Sequence, residues 1–588
     1  MAQELKSINL VAPGFKGINT EDSPLSQDPS FAESADNAVI DKRGRIASRK
    51  GLSVITTDKT ELGTADIRAI KEFRDDAGNT KIFSVGNSKI LSGTTTLADE
   101  TPGSYTVSAN DWKMVNFNDS IYFFQRAHQP LIYNTIPSGT SGGANSSVVT
   151  LGSVNSAAGV TSAMYGNEVL AAYGRLWTAD FATDKSTVYW SDLLIGHDWS
   201  GGTSGSINIS KVWPDGYDEI VALAAHNNLL IIFGKRSMVV YAGADAPATM
   251  ALQDTVAGVG CVSRDTVQHT GTDVLFLSQT GLRSFGRTIQ EKSMPMSSLS
   301  STITTDIIRL ITEANEVFKS VFYPEDNFYL LTFVNQDTTF CFDTRGTLEN
   351  GAYRVTRWPG TGFTSYERKD NGDLLIGSEH GIGQYSGYRD NGNSYRLKYF
   401  SPELTFGDVS KIKFLKKLRP TLVGGSGSKV FMKWSYDFGS AYNSATITIR
   451  SQGKGEFGLD EYPEYSELSS YGISSTLTGG VYVVNKFLGD FTSAPTTGSG
   501  GGALLNGDSY FDTATNTYYV YISGAFVDLS TLSAASFAEF SDGELTSRDA
   551  INTNSSGSTL TIGLESDIDG QELSLQDINV LALVGKTL

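Results

Sequence analysis

Cysteine is nearly missing from this sequence: Cys261 and Cys341 stand alone, 80 positions apart. Two such residues exclude a disulfide-stapled fold and every cysteine-based zinc pattern. Positive charge is short as well. Lys and Arg total 46 against 64 Asp and Glu, a net charge of −18 over 588 residues. A protein that reads DNA through its phosphates needs the opposite balance. Long apolar runs are lacking too. The longest candidate, 220–233, is interrupted by His226, Asn227 and Asn228, so nothing reaches the roughly 20 residues of a membrane helix. Residues 1–17 have no basic start followed by an apolar block, the mark of a secretory signal. A soluble product of a reducing compartment, with no membrane insertion, is expected. Helical periodicity is scarce. Thr305 to Phe318 places Ile307, Ile308, Ile311 and Val317 near one face, and Ser530 to Phe540 is a weaker case.

What the chain has is glycine, aromatics and turns: 61 Gly, 26 Tyr and 30 Phe, with only 15 Pro. Gly-punctuated turns between aromatic or β-branched runs predict an all-β fold. A hairpin pattern recurs, a polar turn followed by an apolar run, a second turn and a second strand. Its copies start at Asn79, Asp119, Asn167, Asn228, Asp273, Asn327 and Asp373, at intervals of 40, 48, 61, 45, 54 and 46. Roughly 40–50 residues is the period of a propeller blade, whose twisted sheet buries its faces only against neighbours. The expected architecture is a β-propeller over 61–395, of about seven blades, with six or eight left open. A separate β-rich platform region would be built from the N- and C-terminal segments, 1–60 and 396–588. A β-sandwich or a string of hairpins is the competing fold. Pro137 to Ser162 is expected as a flexible insertion and Thr492 to Ala503 as a linker.

Charge is uneven. Residues 451–588 hold 4 basic and 18 acidic residues, −14 of the total. This is either a solvated acidic surface or an acidic wall facing nucleic acid in transit. By contrast Lys411 to Val423 packs five basic residues into one strand-like stretch.

No catalytic, cofactor-binding or metal residues are expected from the motifs. His128, His197, His226, His269 and His380 have no partner at metal-ligand spacing. The GxSxG at Gly139 to Gly143 sits in low-complexity sequence with no strand before it or helix after it. Glu565 to Gly570 resembles the start of a calcium loop, but its twelfth position is Gln576. It is better read as an Asp-Gly hairpin turn. Paired carboxylates for glycoside hydrolysis stay open, because such partners meet only in the fold.

Three stretches carry a resemblance. The first is Gly17 to Leu25 (GINTEDSPL), continued by Ala35 to Asp41 (ADNAVID), Arg43-Gly44-Arg45 and Arg49-Lys50-Gly51. The second is Tyr173 to Trp177 with Val188 to Asp192 and Asp198-Trp199-Ser200. The third is the acidic C-terminal segment ending Gln576 to Asn579. Together they resemble the tail nozzle proteins of short-tailed phages (podoviruses), the tail tubular protein B family. The resemblance implies a virion structural protein with no enzymatic activity and no cofactors, assembled in host cytoplasm. It implies a homo-oligomer, a hexameric ring below a tail adaptor ring protein. Tail fibres would be further partners, and genomic DNA would pass through the channel without sequence recognition. Two other readings remain: a polysaccharide-cleaving propeller enzyme, motivated by the 11% aromatic content, and a glycan- or partner-binding propeller of a virion.

Overall fold

The computed structural model describes residues 4–11, 14–108, 112–134, 147–154, 159–161, 164–291, 298–313, 315–425, 427–449, 486–498, 502–505, 508–515, 517–522, 524–528, 546–548, 550–553 and 555–587. Short apolar strands alternate with tight turns. Asn87-Ser88, Asn118-Asp119, Tyr173-Gly174 and Asn227-Asn228 all have φ between +46° and +68°. Positive φ at both central residues marks hairpin turns whose twist matches that of the flanking strands.

The strands form a seven-bladed propeller. Blade one is Ala69–Arg74, Thr80–Gly86, Lys89–Ser92 and Ala98–Asp99; blade two is Lys113–Phe117, Ser120–Phe124, Leu131–Asn134 and Val149–Thr150. Blade three is Glu168–Ala172, Arg175–Ala179, Thr187–Trp190 and Gly205–Asn208; blade four is Ile220–His226, Leu229–Gly234, Ser237–Ala242 and Ala251–Ala257. Blade five has three strands among the described residues, Gln268–His269, Val274–Ser278 and Gly281–Ser284, with the helix Phe285–Glu291 where an outer strand would follow. Blade six is Phe318–Tyr323, Phe328–Phe333, Thr338–Thr347 and Tyr353–Pro359. Blade seven takes Ser365–Arg368, Leu374–Ser378 and Gly381–Tyr385 from one end of the repeat and its outer strand, Leu52–Val54, from the other. This pairing closes the circle.

Each seam between blades has its own apolar filling. Phe83 meets Phe123 edge to face at 5.4 Å between blades one and two, and Phe233 meets Phe276 at 4.8 Å between four and five. Phe328, Trp358 and Tyr385 join blades six and seven. Such pairs contribute about 0.5–1.5 kcal/mol each beyond their buried area.

The platform is two facing sheets. One holds Ala38–Ile40, Ile46–Ser48, Leu573–Thr587 and Lys411–Gly424, with Glu4–Leu10 paired to Leu573–Thr587. The other is blade six itself, carried outward: Tyr353–Pro359 meets Ser34–Asp36 in parallel, followed by Tyr395–Phe400, Leu560–Ile568, Lys429–Tyr436 and Asn443–Thr448. Leu415, Leu418, Ile578 and Val580 of the first sheet share one core with Met432, Trp434, Ile562 and Leu564 of the second. Propeller and platform are therefore fused through a continuous nine-stranded sheet.

Several expectations need correction. A division at residue 60 separates Leu52–Val54 from the blade it completes. The hairpin starting at Asn167 is the first pair of blade three, whereas the other six are second pairs. That one-strand phase slip produces the 61-residue interval. The strands flanking Gly570 do not form a hairpin: Leu560–Ile568 belongs to one platform sheet and Leu573–Thr587 to the other. The turn is real, with Gly570 at φ +87°, but it is a corner between layers. The helix expected from Thr305 spans Thr304–Ile311 and buries Ile307 and Leu310, leaving Ile308 37% exposed. The GxSxG at 139–143, the stretch 530–540 and most of 137–162 lie outside the described residues, although Val149–Thr150 is a strand and Leu151–Val154 a helical turn.

Candidate functional site

The stretch that carries the family resemblance forms a clasp. Gly17, at φ +93°, lies against Val355, where a Cβ would come within 2.6 Å of backbone nitrogen, so only glycine fits. Asp36 Oδ1 pairs with Arg357 at 2.8 Å. Asn37 adopts the left-handed region, and its Nδ2 donates to Arg396 O at 2.9 Å. Ala38 O accepts from Thr356 Oγ1 and Trp358 Nε1, each at 2.7 Å. Asp41 accepts the backbone N–H groups of Arg43 and Arg45 at 2.8 and 2.9 Å, closing the Arg43-Gly44 turn.

Arg49 is the centre of this clasp. It is 1% exposed, and its Nη1 and Nη2 hold the Asp390 carboxylate at 2.9 and 2.5 Å. Its Nε donates to Asn37 Oδ1 at 3.0 Å, and the guanidinium lies 4.2 Å from the Tyr395 ring centroid. Burial alone would lower the Arg49 pKa, but the Asp390 hydrogen bonds and charge raise it above its usual value. The same Asp390 Oδ1 accepts Leu52 N–H at 3.1 Å. One guanidinium thus links the platform, blade six and the closing strand.

The propeller axis is lined by the innermost strands, and ion pairs cross between neighbouring blades there, from these strands or from the turn Arg264–Thr266 that leads into blade five. Lys71 Nζ meets Glu367 Oε1 at 2.8 Å between blades one and seven. Lys113 meets Glu168 at 2.6 Å between two and three, and Lys319 meets Asp265 at 2.6 Å between five and six. Burial raises the Glu168 and Glu367 pKa values, against the nearby lysines. For Asp265, burial acts upward but is outweighed by Lys319 and Arg264, so the carboxyl is held well below its usual range. Where the inner strands of blades three to five begin, a cavity of about 350 Å³ is lined by Arg126, Asp180, Lys185, Glu219 and Lys235, among others. Asp180 takes Lys185 at 2.6 Å as well as Arg126, and Lys235 takes Glu219 at 2.7 Å. These charges are spent on each other, as structural staples.

Three of the five histidines stay apart: His128 Nδ1 contacts Arg126 O at 2.9 Å, His380 lies 3.6 Å from Glu379, and burial lowers the pKa of His197. His226 and His269 come together where blades four and five meet, and the His269 pKa is lowered by burial first and by the charge of His226 second. No group of three metal-ligating side chains forms among the described residues. Cys261 is buried, its thiol pushed up to about 12. All seven tryptophans are buried, none more than 6% exposed, so none offers a free face for stacking a sugar. In the basic strand, Lys413 is buried and donates to Asp408 O and Ser558 O, with burial lowering its pKa. Of the acidic segment, Glu565, Asp567 and Asp569 are neutralised by Lys433, Arg396 and Arg389 at 2.6–2.8 Å.

Sequence reasoning missed the role of Arg49 and the closing strand. Leu52–Val54 is three residues long and carries no periodic signal. Gly51, whose Cβ would meet Arg389 O at 2.0 Å, is the one local hint.

No family model and no curated protein matches this chain. Among solved structures, it is similar to PorZ, an essential bacterial surface component of the type-IX secretion system of Porphyromonas gingivalis, at 12% identity and TM-score 0.33, covering 58% of this chain and 42% of PorZ. It thus spans less than half the length of that protein. The Neurospora crassa Pan2 WD40 domain follows at 9% identity and TM-score 0.33, covering 57% of this chain and 94% of that domain. Kluyveromyces lactis Hsv2 matches at 8% identity and TM-score 0.29, covering 50% and 99%.

Proposed function

We propose that this chain is a structural subunit of the tail of a short-tailed phage, the nozzle that extends and closes the tail channel and conducts genomic DNA during ejection. The observation that carries this reading is the fit between the resemblance and the architecture. The residues that resemble nozzle proteins, 17–51, are those that clasp platform, blade six and closing strand together. A signature of that kind belongs to a way of building the subunit. A propeller of locally packed blades fused to a β platform is a stiff body, suited to packing side by side in a ring. The −18 charge keeps phosphate contacts few, so DNA passes without being held.

The partners on this reading are further copies of the chain in a hexameric ring, the tail adaptor ring protein and tail fibres. Imaging of purified particles, with the chain located by a specific antibody, tests it. A six-fold ring at the distal end of the tail is the expected result. A chain absent from virions, or one that releases reducing sugar from a capsule polysaccharide, overturns the proposal.

A further inference from the structure

Blade three presents three consecutive aliphatic side chains to solvent: Leu193, Leu194 and Ile195 are 49%, 58% and 38% exposed. The loop that carries them is braced from beneath. Asp192 Oδ1 accepts the N–H of Leu193 at 2.8 Å and the N–H and Oγ1–H of Thr203 at 2.7 and 2.9 Å. The buried Arg175 donates to Ser191 O at 2.9 Å and to Thr203 Oγ1 at 2.7 Å. Leu194 sits at φ +58°, an uncommon conformation for a bulky residue that persists only where its surroundings enforce it. Its N–H donates to Gly174 O at 2.8 Å, and Asn118 Nδ2 donates to its carbonyl at 2.7 Å. A rigid, strained loop that holds leucines in water is a built contact and not a slack turn.

A matching surface lies on the platform. On the outer face of the first platform sheet, Leu5, Leu583 and Phe414 stand side by side in register, with Leu581 in the next row. Leu5 is 61% exposed, and the others are partly exposed and outside the core. Lys417 and Arg419 share this face, and Lys416 is exposed at the bulge beside it; none has a salt bridge among the described residues. The knob is net negative: Asp192 and Asp198 belong to its loop and Asp119 to the turn that bonds it, against the cation Arg175, which lies beneath and acts on Asp192.

We propose that these two surfaces meet between neighbouring copies of this chain, the Leu193–Ile195 knob of one on the Leu583 face of the next. The inference rests on the ring reading above. Apolar tip meets apolar row, and carboxylates meet lysines and arginine, which fixes orientation and suppresses the reverse pairing. Because the two surfaces differ, the contact is heterologous. It runs head to tail and generates a closed ring if the rotation closes.

Cross-linking of the full chain tests this. Leu194→Cys and Leu583→Cys are made separately; the native Cys261 and Cys341 are buried. With a short bis-maleimide, the mixture of the two variants should give a covalent dimer that neither gives alone. The double variant should give a ladder of multiples. Leu194→Gly relaxes the left-handed backbone while removing the knob. It should keep the wild-type melting temperature and lose at least about tenfold of the assembled fraction by sedimentation. An unlinked mixture, self-linking by Leu194→Cys alone, or undiminished assembly of Leu194→Gly overturns the contact. Rings without the link leave the nozzle reading standing and the contact wrong. A link in open chains absent from virions has the reverse meaning.

Discussion

Arg49 and Asp390 form one pair with unequal partners: the Arg49 side chain is 2% exposed and that of Asp390 33%. Removing the less buried member does more harm, because it strands a guanidinium in the interior. Asp390→Ala is expected to cost about 3–5 kcal/mol and Arg49→Met about 1–2 kcal/mol, read from urea unfolding midpoints. Asp265 gives a pH signature. Its folded pKa lies below its unfolded value, so its contribution is complete above about pH 4 and fades as pH falls further. Acid unfolding between about pH 4 and pH 2 should therefore be less steep in Asp265→Asn, a variant less stable than wild type at neutral pH.

At the scale of elements, closure rests on three residues. Leu52 is buried among blades six and seven. Leu52→Ala should cost about 2–5 kcal/mol and raise hydrogen exchange first in Gly381–Tyr385, its ladder partner; unchanged protection there would mean the circle is held elsewhere. The elements also show what a sequence can disclose. Hairpins of all seven blades were legible because their turns and apolar runs repeat locally, although the one in blade three is its first pair and not its second. The assignment of Leu52–Val54 was not, since pairing across more than 300 residues leaves no local trace. Nor was the separation of Leu560–Ile568 from Leu573–Thr587. An Asp-Gly turn between alternating runs looks the same whether it joins a ladder or turns a corner, and only the partners on either side decide. The candidate site was legible as residues, through the 17–51 resemblance, and not as a geometry.

For the whole molecule, charge and shape act together. On the proposed reading, the acidic excess should keep contact with nucleic acid weak. Duplex DNA should not be retained by about 10 μM protein at physiological salt in a gel-shift measurement, and retention there would remove the electrostatic argument for passage.

The closing strand and the pairing of Glu4–Leu10 with Ile578–Val584 have a consequence for biosynthesis. Translation is vectorial, yet Glu4–Leu10 and Leu52–Val54 must wait for partners made hundreds of residues later. Until the ribosome has delivered residue 385 the wheel stays open, and until it has delivered residue 584 the platform sheet stays incomplete. A nascent polypeptide that has not reached residue 584 therefore cannot present a finished subunit to its neighbours.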